Sequence, residues 1–161
     1  MFAGGDKIGV FGSRGSPTSM KILLAVDGSK HSLKAVKTLI DHADWYREKP
    51  AVELVNVRLP VPRIRGMGAV VGAGQVRRYY DREGKAALSK ARKLLDAAGI
   101  KYSAHILVGP VAETIVRHAR LTRCVLIVIG TRGISAAASL LLGSCANRVV
   151  NISPIPVLLV K

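Results

Sequence analysis

The sequence predicts an α/β domain: an open, parallel, five-stranded sheet with helices on both faces, in a Rossmann-like arrangement. Three observations carry this expectation. Runs of branched aliphatic residues alternate along the chain with segments whose apolar residues recur at three-and-four spacing. Hydrophobic residues make up 49% of the chain and aromatics only 4%, so the core must be built from Val, Ile, Leu and Ala, as in sheets covered on both faces. Glycines stand at the ends of the aliphatic runs, where the backbone must turn sharply. Repeated β-α units imply parallel strands joined by right-handed crossovers, and 161 residues suit one domain.

Residues 1–19 are rich in Gly and Ser, contain Pro17 and show no sustained period. They read as a flexible leader, with Met20 a candidate physiological start and 20–161 the folded domain. The first strand is expected over 22–26 and ends at Asp27-Gly28, after which Ser29 is placed to cap a helix. That helix buries Leu33, Val36, Leu39 and Ile40 on one face. A second strand covers 52–57. The stretch 60–74, two prolines followed by four glycines, reads as a flexible flap. Gly72 and Gly74 resemble part of a dinucleotide fingerprint, but no strand precedes them and the third glycine is missing.

A long helix is expected over 76–98, with Leu88, Ala91, Leu94 and Leu95 inward and Gly99 as its terminator. Strand 102–108 follows, then helix 112–121, which carries Ile115, His118 and Ala119 toward the core. The fourth strand is the aliphatic run 124–129. A last helix follows, with Ala146, Val149 and Val150 at helical spacing, and then a last strand over 156–161.

The segment after the fourth strand carries the chemistry. Gly130-Thr131-Arg132-Gly133 is separated by nine residues from Gly143-Ser144, which opens the last helix. Glycines allow close backbone approach to a ligand, and the free N–H groups of a helix start favour an anion such as phosphate. Two such elements suggest a nucleotide phosphate cradle, in which Cys145 and Ala146 supply further backbone N–H groups. In open α/β sheets ligands bind beyond the strand C-termini where strand order reverses. The Gly-x-x-x-x-Gly-Lys-Ser/Thr loop is absent, so no lysine is poised on the terminal phosphates.

Gly-x-x-Gly, nine residues, Gly-Ser, a short helix and a final strand resemble the universal stress protein family. Met20-Lys-Ile-Leu-Leu-Ala-Val-Asp-Gly-Ser29 resembles its first strand and acidic turn, and Val52-Glu-Leu-Val-Asn-Val57 its second strand. The resemblance spans residues 20–161. It implies an adenine nucleotide alpha hydrolase-like fold with strands one and four flanking the site, and ATP as ligand with magnesium carried on the phosphates. It further implies that Asp27 contacts the nucleoside beside the backbone of Ala25 and Val26, that Val57 meets adenine, and that Gly130, Thr131, Arg132, Gly133, Gly143, Ser144, Cys145 and Ala146 surround the phosphates. A homodimer pairing its last strands and a stress-response role of sensor or regulator complete what it implies. Departures from the family pattern occur at Val125, at Gly109-Pro110-Val111 and in the charge-free stretch 134–142, which would favour a protein contact.

The remaining composition bounds alternatives. Net charge is +15 with pI near 10.5, yet the cations are dispersed and few aromatics interleave them. A solvated basic surface is therefore favoured over a nucleic-acid interface, which remains a lesser alternative with a vestigial nucleotide site. No stretch is apolar enough to span a bilayer, and residues 1–7 lack the pattern of a signal peptide, so a cytoplasmic location is expected. The two cysteines fit a reducing compartment: Cys124 reads as a buried inert thiol, while a helix start would lower the pKa of Cys145. His31, His42, His105 and His118 show no zinc spacing, and no metal ligands are assigned. No nucleophile–base pair or carboxylate pair is evident, so no catalytic residues are expected and slow ATP hydrolysis is the upper bound of activity.

Overall fold

The computed structural model describes residues 20–60, 73–133 and 142–161. It contains five strands, β1 (Lys21–Ala25), β2 (Ala51–Arg58), β3 (Tyr102–Val108), β4 (Leu126–Gly130) and β5 (Val157–Val160). Four α-helices join them: α1 (Lys30–Asp41), α2 (Ala73–Ala97), α3 (Val111–Leu121) and α4 (Ser144–Ile152), with a 3-10 turn at Ala43–Trp45. All strand pairs are parallel, in the order β3-β2-β1-β4-β5. The order reverses between β1 and β4, so the switch point lies between the two strands that the family resemblance implies.

Strand alternation divides the core into two layers. Ile22, Leu24, Val52 and Leu54 face Val36 and Leu39 of α1 and Leu88 and Leu95 of α2. Leu23, Val55 and Ile127 face Ile115 and Val116 of α3 and Val149 of α4. Because both faces are covered, β1 and β4 are aliphatic at successive positions rather than at alternate ones. Ser29 caps α1: its hydroxyl accepts from the Ser32 N–H at 3.1 Å. Gly99, at φ +63°, ends the α2 segment in the left-handed conformation.

Several boundaries shift. Helix α2 begins at Ala73 rather than at 76, so Gly74 lies in its first turn instead of the expected flap. Strand β4 begins at Leu126 rather than 124 because α3 ends in a left-handed residue, Arg123 (φ 58°), and the Cys124 N–H returns to the Ala119 carbonyl at 2.8 Å. The expected leader 1–19, most of the flap and the stretch 134–141 lie outside the described residues. No helix among the described residues is long and apolar enough to cross a membrane.

Candidate functional site

The C-terminal ends of β1, β2 and β4 and the N-terminus of α4 enclose a crevice of about 280 Å³. All twelve residues singled out from the sequence line it. Ala25, Val26 and Asp27 come from the end of β1 and its turn, and Val57 from β2. Gly130, Thr131, Arg132 and Gly133 follow β4, while Gly143, Ser144, Cys145 and Ala146 open α4. Sequence reasoning missed Asn56, Ser32 and the apolar wall of Val55, Val111, Ile115 and Ile129. A polar residue inside an aliphatic strand was the available signal for Asn56.

Each glycine of the motif has its own steric reason. A Cβ on Gly130 would stand 2.8 Å from the carbonyl carbon of His31 and 3.0 Å from the Ser32 nitrogen, so this glycine lets α1 sit directly on the end of β4. A Cβ on Gly133 would instead stand 2.8 Å from Asp27 Oδ2. Gly143 donates its N–H to the Thr131 carbonyl at 2.7 Å, which closes the motif around the mouth of the crevice. The backbone N–H groups of Ser144, Cys145 and Ala146 have no acceptor within α4, as at any helix start.

Polar groups in the crevice are sparse. Among the described lining residues Asp27 is the sole carboxylate and Arg132 the sole cation. Asp27 Oδ1 accepts from the Ser29 N–H at 2.9 Å, so the carboxylate shapes the turn and lines the crevice at once. Asn56 is 2% exposed; its Nδ2 donates to the Val26 carbonyl at 2.7 Å, and its Oδ1 is buried without a partner. Thr131 Oγ1 is likewise buried and unpartnered. Two unsatisfied buried polar groups, an amide oxygen and a hydroxyl, in one crevice are costly unless something fills them.

Cys145 departs from the expected behaviour. Burial pushes its thiol up to about 11, and the charges of Asp27 and Glu113 add to the rise. Desolvation of the thiolate outweighs the helix dipole, so the site does not activate this sulfur. Burial also raises the Cys124 thiol, which contacts Thr122 Oγ1 at 3.3 Å. The histidines, scattered in sequence, are not all scattered in space: His105 and His118 converge on Glu53, a grouping the sequence did not reveal. The crossover from β3 to α3 brings them together.

Comparison with known proteins adds to this geometry. The model of the universal stress protein family matches residues 18–161. The universal stress protein MJ0531 of Methanocaldococcus jannaschii is 35% identical over 142 residues, covering 88% of this chain and 81% of that protein. The solved structure of the hypothetical protein MJ0577 superposes with a TM-score of 0.74 at 27% identity, covering 90% of this chain and 97% of the other. A universal stress protein in complex with cAMP (TM-score 0.61, 25% identity) covers 89% of this chain and 97% of its own. One from Archaeoglobus fulgidus in complex with dAMP (TM-score 0.57, 26% identity) covers 88% and 98%.

Proposed function

This chain belongs to the universal stress protein family, and from that premise we propose that its crevice binds ATP, with magnesium carried on the phosphates, and that occupancy makes the protein a stress-response regulator. The observation that carries this reading is the pair of orphaned polar groups, the Asn56 Oδ1 acceptor and the Thr131 hydroxyl, buried at the ends of β2 and β4 in one crevice. A nucleoside supplies donors for the first. The Thr131 hydroxyl, beside the amides of Ser144 to Ala146, donates to a phosphate oxygen. Arg132 faces the phosphate end, and Asp27 faces the sugar. Val57, Val111 and Ile115 provide an apolar wall for a base. Two structural neighbours were solved with cAMP and dAMP, which supports adenine nucleotides as the ligand class.

The reading is one of binding rather than turnover. One carboxylate, already accepting from the Ser29 N–H, is a poor base for activating water. The dimer belongs to the same proposal. Strand β5 is a sheet edge with Leu158 and Leu159 42% and 36% exposed, a surface that a second copy would cover.

The test is the nucleotide content of the purified protein followed by calorimetric titration with ATP, ADP and AMP, with and without magnesium. Gly143→Val is the control, since a Cβ there already stands 3.3 Å from the Thr131 carbonyl oxygen. Tight binding lost in the variant is the expected result. No binding by the folded protein would sink the proposal and turn attention to the cations of α2, among them Arg77, Arg78, Arg82 and Lys85, all exposed, and to binding of nucleic acid with a steep salt dependence.

A further inference from the structure

We propose that Glu53, His105 and His118 form a binding site for a divalent transition-metal ion of the zinc class, separate from the nucleotide crevice. Glu53 is the third residue of β2 and only 8% exposed, a charged side chain in an aliphatic strand. Such a group requires compensation. Its two oxygens face different partners. Oε1 lies 3.9 Å from Lys21 Nζ, whereas Oε2 lies 2.8 Å from His105 Nε2 and 3.4 Å from His118 Nε2.

The three ligand atoms all lie within 4.8 Å of one another. Ligands bound at about 2.0–2.2 Å around a tetrahedral ion are separated by about 3.3–3.6 Å, so the triad needs only small adjustments to close on a cation. The short contact to His105 is not a directed hydrogen bond: its Nε2 is buried and lacks a hydrogen-bond partner. Two imidazole nitrogens thus converge on one carboxylate oxygen with one of them unsatisfied. Two imidazoles and a carboxylate are a borderline N/O donor set that suits Zn²⁺ and its neighbours rather than Ca²⁺ or Mg²⁺.

The site would tie β2, β3 and α3 together. The side chain of His105 is 33% exposed and stands on the edge strand β3, so the ring can move to admit the ion to its buried Nε2. None of the three ligands lines the crevice; on their face of β2 the lining begins at Val55, two residues from Glu53 and roughly 7 Å away. The proposal therefore stands independently of the nucleotide reading. Lys21 opposes the site: its charge disfavours a cation, but its side chain is 39% exposed and free to swing outward.

The experiment uses the full chain, stripped with EDTA and titrated with Co²⁺ while visible d–d absorption is followed, and with Zn²⁺ while the thermal midpoint is followed. One equivalent should bind, with absorption characteristic of low coordination. Zn²⁺ at about 100 times its Kd should raise the midpoint by roughly 5–10 °C. His118→Ala and Glu53→Gln should each weaken binding by more than the roughly 10- to 100-fold typical of losing an outer-shell partner. Lys21→Gln, which leaves the ligands in place, should tighten it severalfold. Melting of every variant in EDTA identifies any that fails to fold, and Lys21→Gln carries the test if the others do. Absence of the absorption and of the shift in the folded protein would overturn the proposal. So would binding unchanged in the folded ligand variants, or Lys21→Gln binding no tighter than the parent.

Discussion

A single methyl group added at Gly130 or at Gly133 should give two different phenotypes. At Gly130 the new Cβ would stand 2.8 and 2.9 Å from the carbonyl carbon and oxygen of His31 and 3.0 Å from the Ser32 nitrogen. Ordinary contacts between such atoms are about 3.5–4.0 Å, so the first turn of α1 and the end of β4 must separate by several tenths of an ångström. These atoms are backbone and cannot rotate away. Overpacking of this kind costs about 1–3 kcal/mol, which for a domain of this size lowers the thermal midpoint by roughly 2–12 °C.

At Gly133 the obstacle is Asp27 Oδ2 at 2.8 Å, the end of a side chain. Displacing it spares the core but moves the carboxylate assigned to the sugar. Losing a charge-assisted hydrogen bond of about 1.5–3 kcal/mol weakens nucleotide binding roughly 10- to 150-fold. Thermal melting without ligand and calorimetry with ATP separate the two variants. If Gly130→Ala melts like the parent yet loses nucleotide, or Gly133→Ala loses stability instead of affinity, the division of roles between the two glycines is wrong.

Thr131→Val removes a buried hydroxyl that lacks a protein partner; stability without ligand should be unchanged or slightly higher, while loss of a hydrogen bond to a charged phosphate makes ATP bind about 10- to 150-fold more weakly by calorimetry. Cys145, with its thiol pushed up from 9.0 to about 11 by burial, should react with iodoacetamide at pH 8 about 100-fold more slowly than the same thiol in urea-unfolded chain. The sign for stability follows from the raised value: the folded state holds this proton more tightly, so its contribution is complete below pH 9 and is lost as pH rises through 11, which chemical denaturation between pH 8 and 11 would register in the parent and not in Cys145→Ala. Leu158→Lys places a charge on the exposed edge strand β5 and should shift a dimer to monomer in sedimentation, with the fold intact by circular dichroism.

How much of this was legible in the sequence depends on whether the determining contact is local. The strands were visible because burial on both faces leaves continuous aliphatic runs, and the start of α4 because Gly143-Ser144 directly precedes a helical pattern. The extra turn of α2 was hidden by Gly74, a poor helix former that reads as loop. The reason for Gly130 was hidden because its obstacle, the first turn of α1, lies a hundred residues earlier. Glu53, His105 and His118 were opaque for the same reason: one lies on β2, one on β3 and one on α3, and only strand register and the crossover bring them together. The anomaly that pointed to both Glu53 and Asn56 was present from the start, polar residues in a run that otherwise reads as core.

The position of β1 at the centre of the sheet imposes an order on synthesis. Ile22 pairs with Val52 on one side and with Leu126 on the other. The second partner leaves the ribosome about a hundred residues after the first strand, some 5–20 s at ordinary elongation rates. Throughout that interval one edge of the central strand is open to other nascent chains. The cradle comes from β4, which closes that edge, and from the start of α4, which follows it. A ligand that binds there recognises a sheet in which β1 is paired on both sides and no earlier intermediate, so it acts as a latch on that step of folding and stabilises only chains that have completed it.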